Sequence, residues 1–118
     1  MINKKRCALA YGFNEDELKK LKIYLTSVRE VEDKNLDLKI NDLINETMEG
    51  NYTEEPFDEK VVIFNSYGDN EIRSAVRKLR TVFPGIILAV VTPASINWSF
   101  KYLMSHLLEE KKLEQNNK

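Results

Sequence analysis

The sequence predicts a small three-layer α/β domain made of two βαβα halves on a mostly parallel four-stranded sheet, and three observations lead there. Short apolar runs alternate along the chain with stretches of helical period. CALAYGFNEDELKKLKIYLTSV, from Cys7, aligns without a gap on VVIFNSYGDNEIRSAVRKLRTV, from Val61, pairing Leu9 with Ile63, Leu18 with Ile72, Leu21 with Ala75 and Leu25 with Leu79. The 118 residues are enough for one core and too few for two. The chain therefore reads as a single domain over 1–118, with halves at about 6–50 and 61–112.

Cys7–Tyr11 (CALAY) is the first strand. Asn14 with Glu17 three residues on makes a capping box, and Leu18, Leu21, Leu25 and Val28 give the helix behind it an apolar face. Leu36–Ile40 (LDLKI) alternates apolar and polar, the pattern of a second strand with one face buried, suited to a sheet edge. Leu43, Ile44 and Met48 mark a short helix ending near Gly50, and the acidic stretch 51–60, containing Pro56, reads as a link. Val61–Phe64 is the third strand. Ile72, Ala75, Val76, Leu79 and Val82 face the core from the next helix, which Pro84-Gly85 ends, and Ile86–Val91 is the fourth strand. A last helix begins between Ser95 and Ser99, buries Phe100, Leu103, Leu107 and Leu108, and gives way to a polar tail over 109–118 that frays into solvent.

Alternation of this kind predicts parallel strands with right-handed crossovers and, in chain order, the arrangement 2-1-3-4, with the first and third strands joining the halves in parallel. The fourth strand is apolar on both faces yet falls at an edge. Either the order differs, with this strand inside, or a second subunit covers it, and in the latter case a homodimer is expected with this strand or the last helix in the interface.

Composition removes several classes of function. Lys plus Arg number 18 against 19 Asp plus Glu, a net charge of −1, so nothing global attracts a polyanion. Arg73, Arg77 and Arg80 with Lys78 form one stripe on a helix, but the same stripe is an ordinary solvated face, and nucleic acid is not an expected partner. No run is long enough to span a membrane, and none of the first residues resembles a signal segment, so a cytoplasmic protein is expected. One cysteine and one histidine exclude a Cys/His zinc cluster, and no metal or cofactor is predicted. Cys7 reads as a core residue, and His106, with no placed partner, as a surface residue. No catalytic residue is assigned. Glycine-rich phosphate loops are missing, and the acids opening both long helices, Asn14–Glu17 and Gly68–Glu71, disfavour phosphate there.

In open parallel sheets ligands bind beyond the carboxyl ends of the strands. The residues expected at that rim are Tyr11, Asn65, Ser66, Tyr67, Thr92, Pro93, Ser95, Asn97 and Trp98, a candidate ligand-binding set of aromatic, amide and hydroxyl groups. Each also has a structural use: Asn65 and Ser66 can turn the chain, Thr92 can bond backbone, Pro93 fixes φ, and Trp98 can roof the core beside Phe100.

The stretch VVIFNSYGDNEI, the helix after it, and AVVTPASINWSFKYLMSHLLEE resemble the bacterial domain of unknown function 3783 family over about Lys60 to Glu110. Thr92, Pro93, Asn97 and Trp98 carry the resemblance, while Ser95 stands where the family pattern implies a second Asn. The resemblance implies the strand-helix-strand-helix unit and no chemistry, since the family has none assigned. The functional expectation is a non-enzymatic interaction or regulatory module. The alternative is a small-ligand-binding or enzymatic domain using the rim.

Overall fold

The computed structural model describes residues 4–45 and 57–116. Its strands are β1 (Cys7–Tyr11), β2 (Val28–Val31), β3 (Val61–Asn65) and β4 (Ile87–Val90), and its helices α1 (Glu15–Tyr24), α2 (Ile40–Ile44), α3 (Asp69–Val82) and α4 (Phe100–Asn116). Short 3-10 turns at Asp33–Asn35 and Ser95–Asn97 precede α2 and α4. Met48, Gly50 and most of the acidic link lie outside the described residues.

The sheet runs β2-β1-β3-β4, as the alternation predicts, and is mostly parallel. β1 pairs with β2 in parallel and β3 with β4 in parallel, but β1 and β3 are antiparallel. The expected parallel junction of the halves is corrected here. A crossover helix forces parallel strands within each half, whereas the long connection from α2 to β3 leaves either direction open.

The second strand also differs from expectation. Leu36–Leu38 is a turn, Lys39 makes only an isolated bridge, and the strand beside β1 is Val28–Val31. Val28 continues the helical spacing of Leu21 and Leu25, which hides the break. The helix ends at Tyr24 because Leu25 turns to extended backbone and Ser27 takes the left-handed region at φ 56°. Leu36 and Ile40 are still buried, so their spacing reported burial without reporting a strand. At the other end, α4 starts at Phe100, after the expected window, and continues to Asn116, beyond Glu109 where fraying was expected.

Both central strands are buried on both faces, which explains their unbroken apolar runs. Leu9, Tyr11, Val61 and Ile63 face one way, under Ile40, Leu43, Phe100 and Met104 of α2 and α4. Ala8, Ala10, Val62 and Phe64 face the other, under Leu21, Ala75 and Leu79 of α1 and α3, with Phe83. Cys7 is buried as expected, and burial pushes its thiol pKa up.

Contacts between the halves are reciprocal. Leu9 sits opposite Ile63, the same two residues that align in sequence, and Lys39 bridges to Ser99. The Ile40 amide donates to the Trp98 carbonyl at 2.9 Å, and the Phe100 amide to the Leu38 carbonyl at 2.9 Å. Arg6 of the first half pairs with Glu71 of the second, and Lys60 of the second with Glu17 of the first at 3.4 Å.

Candidate functional site

The rim divides in two. Because β3 and β4 are parallel with Phe64 opposite Val90, Asn65-Ser66-Tyr67 and the Thr92 loop leave the sheet at one end. The antiparallel junction sets Tyr11 opposite Val61, at the other end of the sheet. The convergence of Tyr11 with the remaining rim residues is therefore corrected.

Tyr11 ties its own corner together. Its hydroxyl donates to Asp33 Oδ1 at 2.5 Å and accepts from the Phe57 amide at 3.1 Å, while its ring meets Phe100 at 5.8 Å. Burial, reinforced by the Asp33 carboxylate that holds the proton, pushes its pKa up to about 12. The phenol is thus a neutral structural donor at ordinary pH.

On the opposite rim the polar groups also serve the backbone. Buried Asn65 donates from Nδ2 to the Lys5 carbonyl at 2.7 Å, fixing the chain that enters β1. Ser66 turns out of the strand at φ 62°, a left-handed conformation that L side chains adopt at a cost. Tyr67 donates its hydroxyl to the Thr26 carbonyl, and its ring lies edge-on to Phe64 with the Arg6 guanidinium 4.3 Å above it. Arg6 also makes a forked pair with Glu71 and donates from Nε to Thr26 Oγ1 at 3.1 Å. Arg6 and the Gly68 amide hold the Glu71 carboxyl down at about 2.

The Thr-Pro loop closes on itself. The Thr92 amide donates to Ser95 Oγ at 2.9 Å and the Ser95 amide to Thr92 Oγ1 at 3.0 Å, with Ser95 buried. Asn35 does the same for the turn after β2, accepting the Glu32 amide at 3.0 Å. Pro93 and Asn97 are exposed. Trp98 is half-buried on the core and opens a ladder along α4: Tyr102 stands edge-on to it at 4.8 Å, and His106 stacks on it at 5.0 Å and 24°.

Sequence reasoning missed Arg6, Thr26 and Glu71, which come from three separate segments, and it missed the ladder. The ladder had a signal, since Trp98, Tyr102 and His106 recur every four residues, one side of a helix. Exposed His106 packs its ring against both Trp98 and Tyr102, 5.0 Å and 4.7 Å between centroids. Among the described residues, no group of three or more His, Cys, Asp or Glu could hold a metal ion.

Residues 60–113 match the family model described as Domain of unknown function (DUF3783), the segment that spans β3, α3, β4 and most of α4. No curated protein and no solved structure matches the chain.

Proposed function

We propose that this protein is a non-enzymatic association module that pairs with a second copy of itself through the edge of β4 and the neighbouring side of α4. One observation carries the reading: the two outer strands are guarded differently. β2 presents Arg29 and Glu30 at its centre, whereas β4 is Ile-Leu-Ala-Val, with no charge at all. Charged residues are the usual protection of a free edge, and their absence marks an edge that is covered in use.

Local geometry supports pairing. The Ile87 and Val91 amides bond back to β3, so by alternation those of Leu88 and Val90 point off the sheet. Val90 is 47% exposed and Tyr102 50%. Ile86 and Leu88 share a groove of about 250 Å³ with Leu107 of α4, rimmed by Arg80, Glu110 and Lys111, so strand edge and helix form one surface with an apolar floor and charges of both signs at its rim. A stable interface needs roughly 800 Å² per subunit, within reach of an edge and a helix together and beyond an edge alone.

The chain's own halves supply a precedent. Leu9 aligns with Ile63 in sequence and pairs with it in the sheet, the relation a local twofold axis produces. An internal repeat, one half standing as the other's partner, accounts for this and for the reciprocal ion pairs. The alternative, ligand binding or catalysis by the expected rim residues, loses support because the polar side-chain atoms of Tyr11, Asn65, Tyr67, Thr92 and Ser95 are engaged within the chain, leaving of Tyr67 only its ring. A bacterial, cytoplasmic setting belongs to the same reading, supported by the family resemblance and by a single buried cysteine. No helix among the described residues is long and apolar enough to cross a membrane.

Sedimentation equilibrium at micromolar concentration tests the proposal. The expected mass is twice 13.8 kDa, and Val90→Lys, which puts a charge on the edge without touching the core, returns it to 13.8 kDa. A wild-type monomer at every concentration overturns the reading.

A further inference from the structure

A groove of about 450 Å³ lies between α1 and α3, on the sheet face opposite α4, and the mismatch of the two helices opens it. α1 has 10 residues and α3 has 14, so the last turn that α3 lays over the far end of this face has no counterpart from α1 at the near end. At the far end Phe13 meets Phe83, the C-cap of α3, edge-on at 5.2 Å and closes the space. At the near end the corresponding residues are Tyr67 and Leu25, the C-cap of α1, and the space stays open.

Its walls are chemically mixed. Tyr24, Thr26 and Tyr67 line one side, and Asn70, Ser74 and Lys78 line the other, one helical turn apart along α3. Arg6 also borders the groove, but its guanidinium is engaged by Glu71 and Thr26. Lys78 has no ion-pair partner among the described residues. Glu71 lines the groove too, its carboxylate paired with Arg6, and Arg6 covers one face of the Tyr67 ring; the groove thus offers the rings of Tyr24 and Tyr67, the neutral hydrogen-bonding side chains of Thr26, Asn70 and Ser74, and the Lys78 cation. Asp69 and Glu71 at the start of α3 oppose a guest of high negative charge.

We propose that this groove binds a small monoanionic aromatic acid, its ring against Tyr24 and Tyr67, its carboxylate on Lys78, and its polar substituents at Asn70 and Ser74. The site is independent of self-association, which uses the β4 edge and α4 and shares no lining residue with this groove. Amide shifts of the full chain titrated with salicylate test it. Saturable shifts are expected at Thr26, Tyr67, Ser74 and Lys78, with half-saturation below roughly ten millimolar, the range for a ligand of so few atoms. Lys78→Glu should weaken binding about tenfold, the loss of one charge-assisted contact. Leu25→Phe, which copies the plug at the far end, should abolish it while the amides of β3 and α4 keep their positions. Shifts that never saturate, shifts centred on α4, or an affinity unchanged by Lys78→Glu would each overturn the proposal.

Discussion

Gly12→Ala tests the antiparallel junction, from which most of the architecture follows. Gly12 leaves β1 at φ +89°, and a Cβ built there would lie 2.2 Å from the Glu59 carbonyl oxygen and 3.3 Å from Lys60 Cα. That crowding exists because β3 begins where β1 ends, with Tyr11 opposite Val61. Gly85 is the matched control: its φ is +86°, but nothing lies within 4 Å of its Cβ position. An alanine at Gly85 therefore bears only the left-handed backbone penalty, about 1 kcal/mol. At Gly12 the same penalty is joined by a contact that only backbone movement can relieve, about 3 kcal/mol in all. Urea denaturation followed by far-UV circular dichroism reads the difference. With a slope of about 1.5 kcal/mol per molar, the midpoint should fall by roughly 2 M for Gly12→Ala and by less than about 1 M for Gly85→Ala. Equal small shifts would refute the close approach and, with it, the antiparallel register at this corner.

Other consequences can be checked separately. Tyr11 titrates at about 12 when folded against 10 as a free phenol, so the folded state holds the proton longer. Its contribution is whole below pH 10 and is lost as pH rises towards 12; tyrosinate absorbance at 295 nm should show a late-ionising phenol that Tyr11→Phe removes. Ser95→Ala strands the Thr92 amide and should cost about 1 kcal/mol in chemical denaturation, whereas Ser95→Asn, copying the Asn35 turn, should stay within about 0.5 kcal/mol of wild type. Trp98→Ala removes a half-buried ring and should cost about 2 kcal/mol, below the range for a fully buried aromatic. A loss under about 0.5 kcal/mol would mean that the ring does not pack on the core.

The strand order was legible because apolar runs such as Val61–Phe64 mark central strands, and because capping residues such as Asn14 sit where helices start. Direction at the centre was not, since no local pattern in β1 or β3 says whether Leu9 meets Ile63 in parallel or antiparallel. Leu36–Ile40 shows the limit of alternation: a turn that drops every second side chain into the core writes the same pattern as a strand. Val28 shows the limit of helical spacing, which cannot register that Ser27 has left the helix. Thr92 and Ser95 belong to the candidate rim set by residue type alone, and what they hold is their own loop. The Arg6–Tyr67–Glu71 cluster could not be read at all, because it depends on β1 and β3 running in opposite directions.

The central claim, association through β4, is most directly tested by hydrogen exchange at the two amides that point off the sheet, Leu88 and Val90. Their exchange should slow markedly as protein concentration is raised through the association range, with the Leu107 side of α4 following and β2 unaffected. Fast exchange of both amides at every concentration would contradict it.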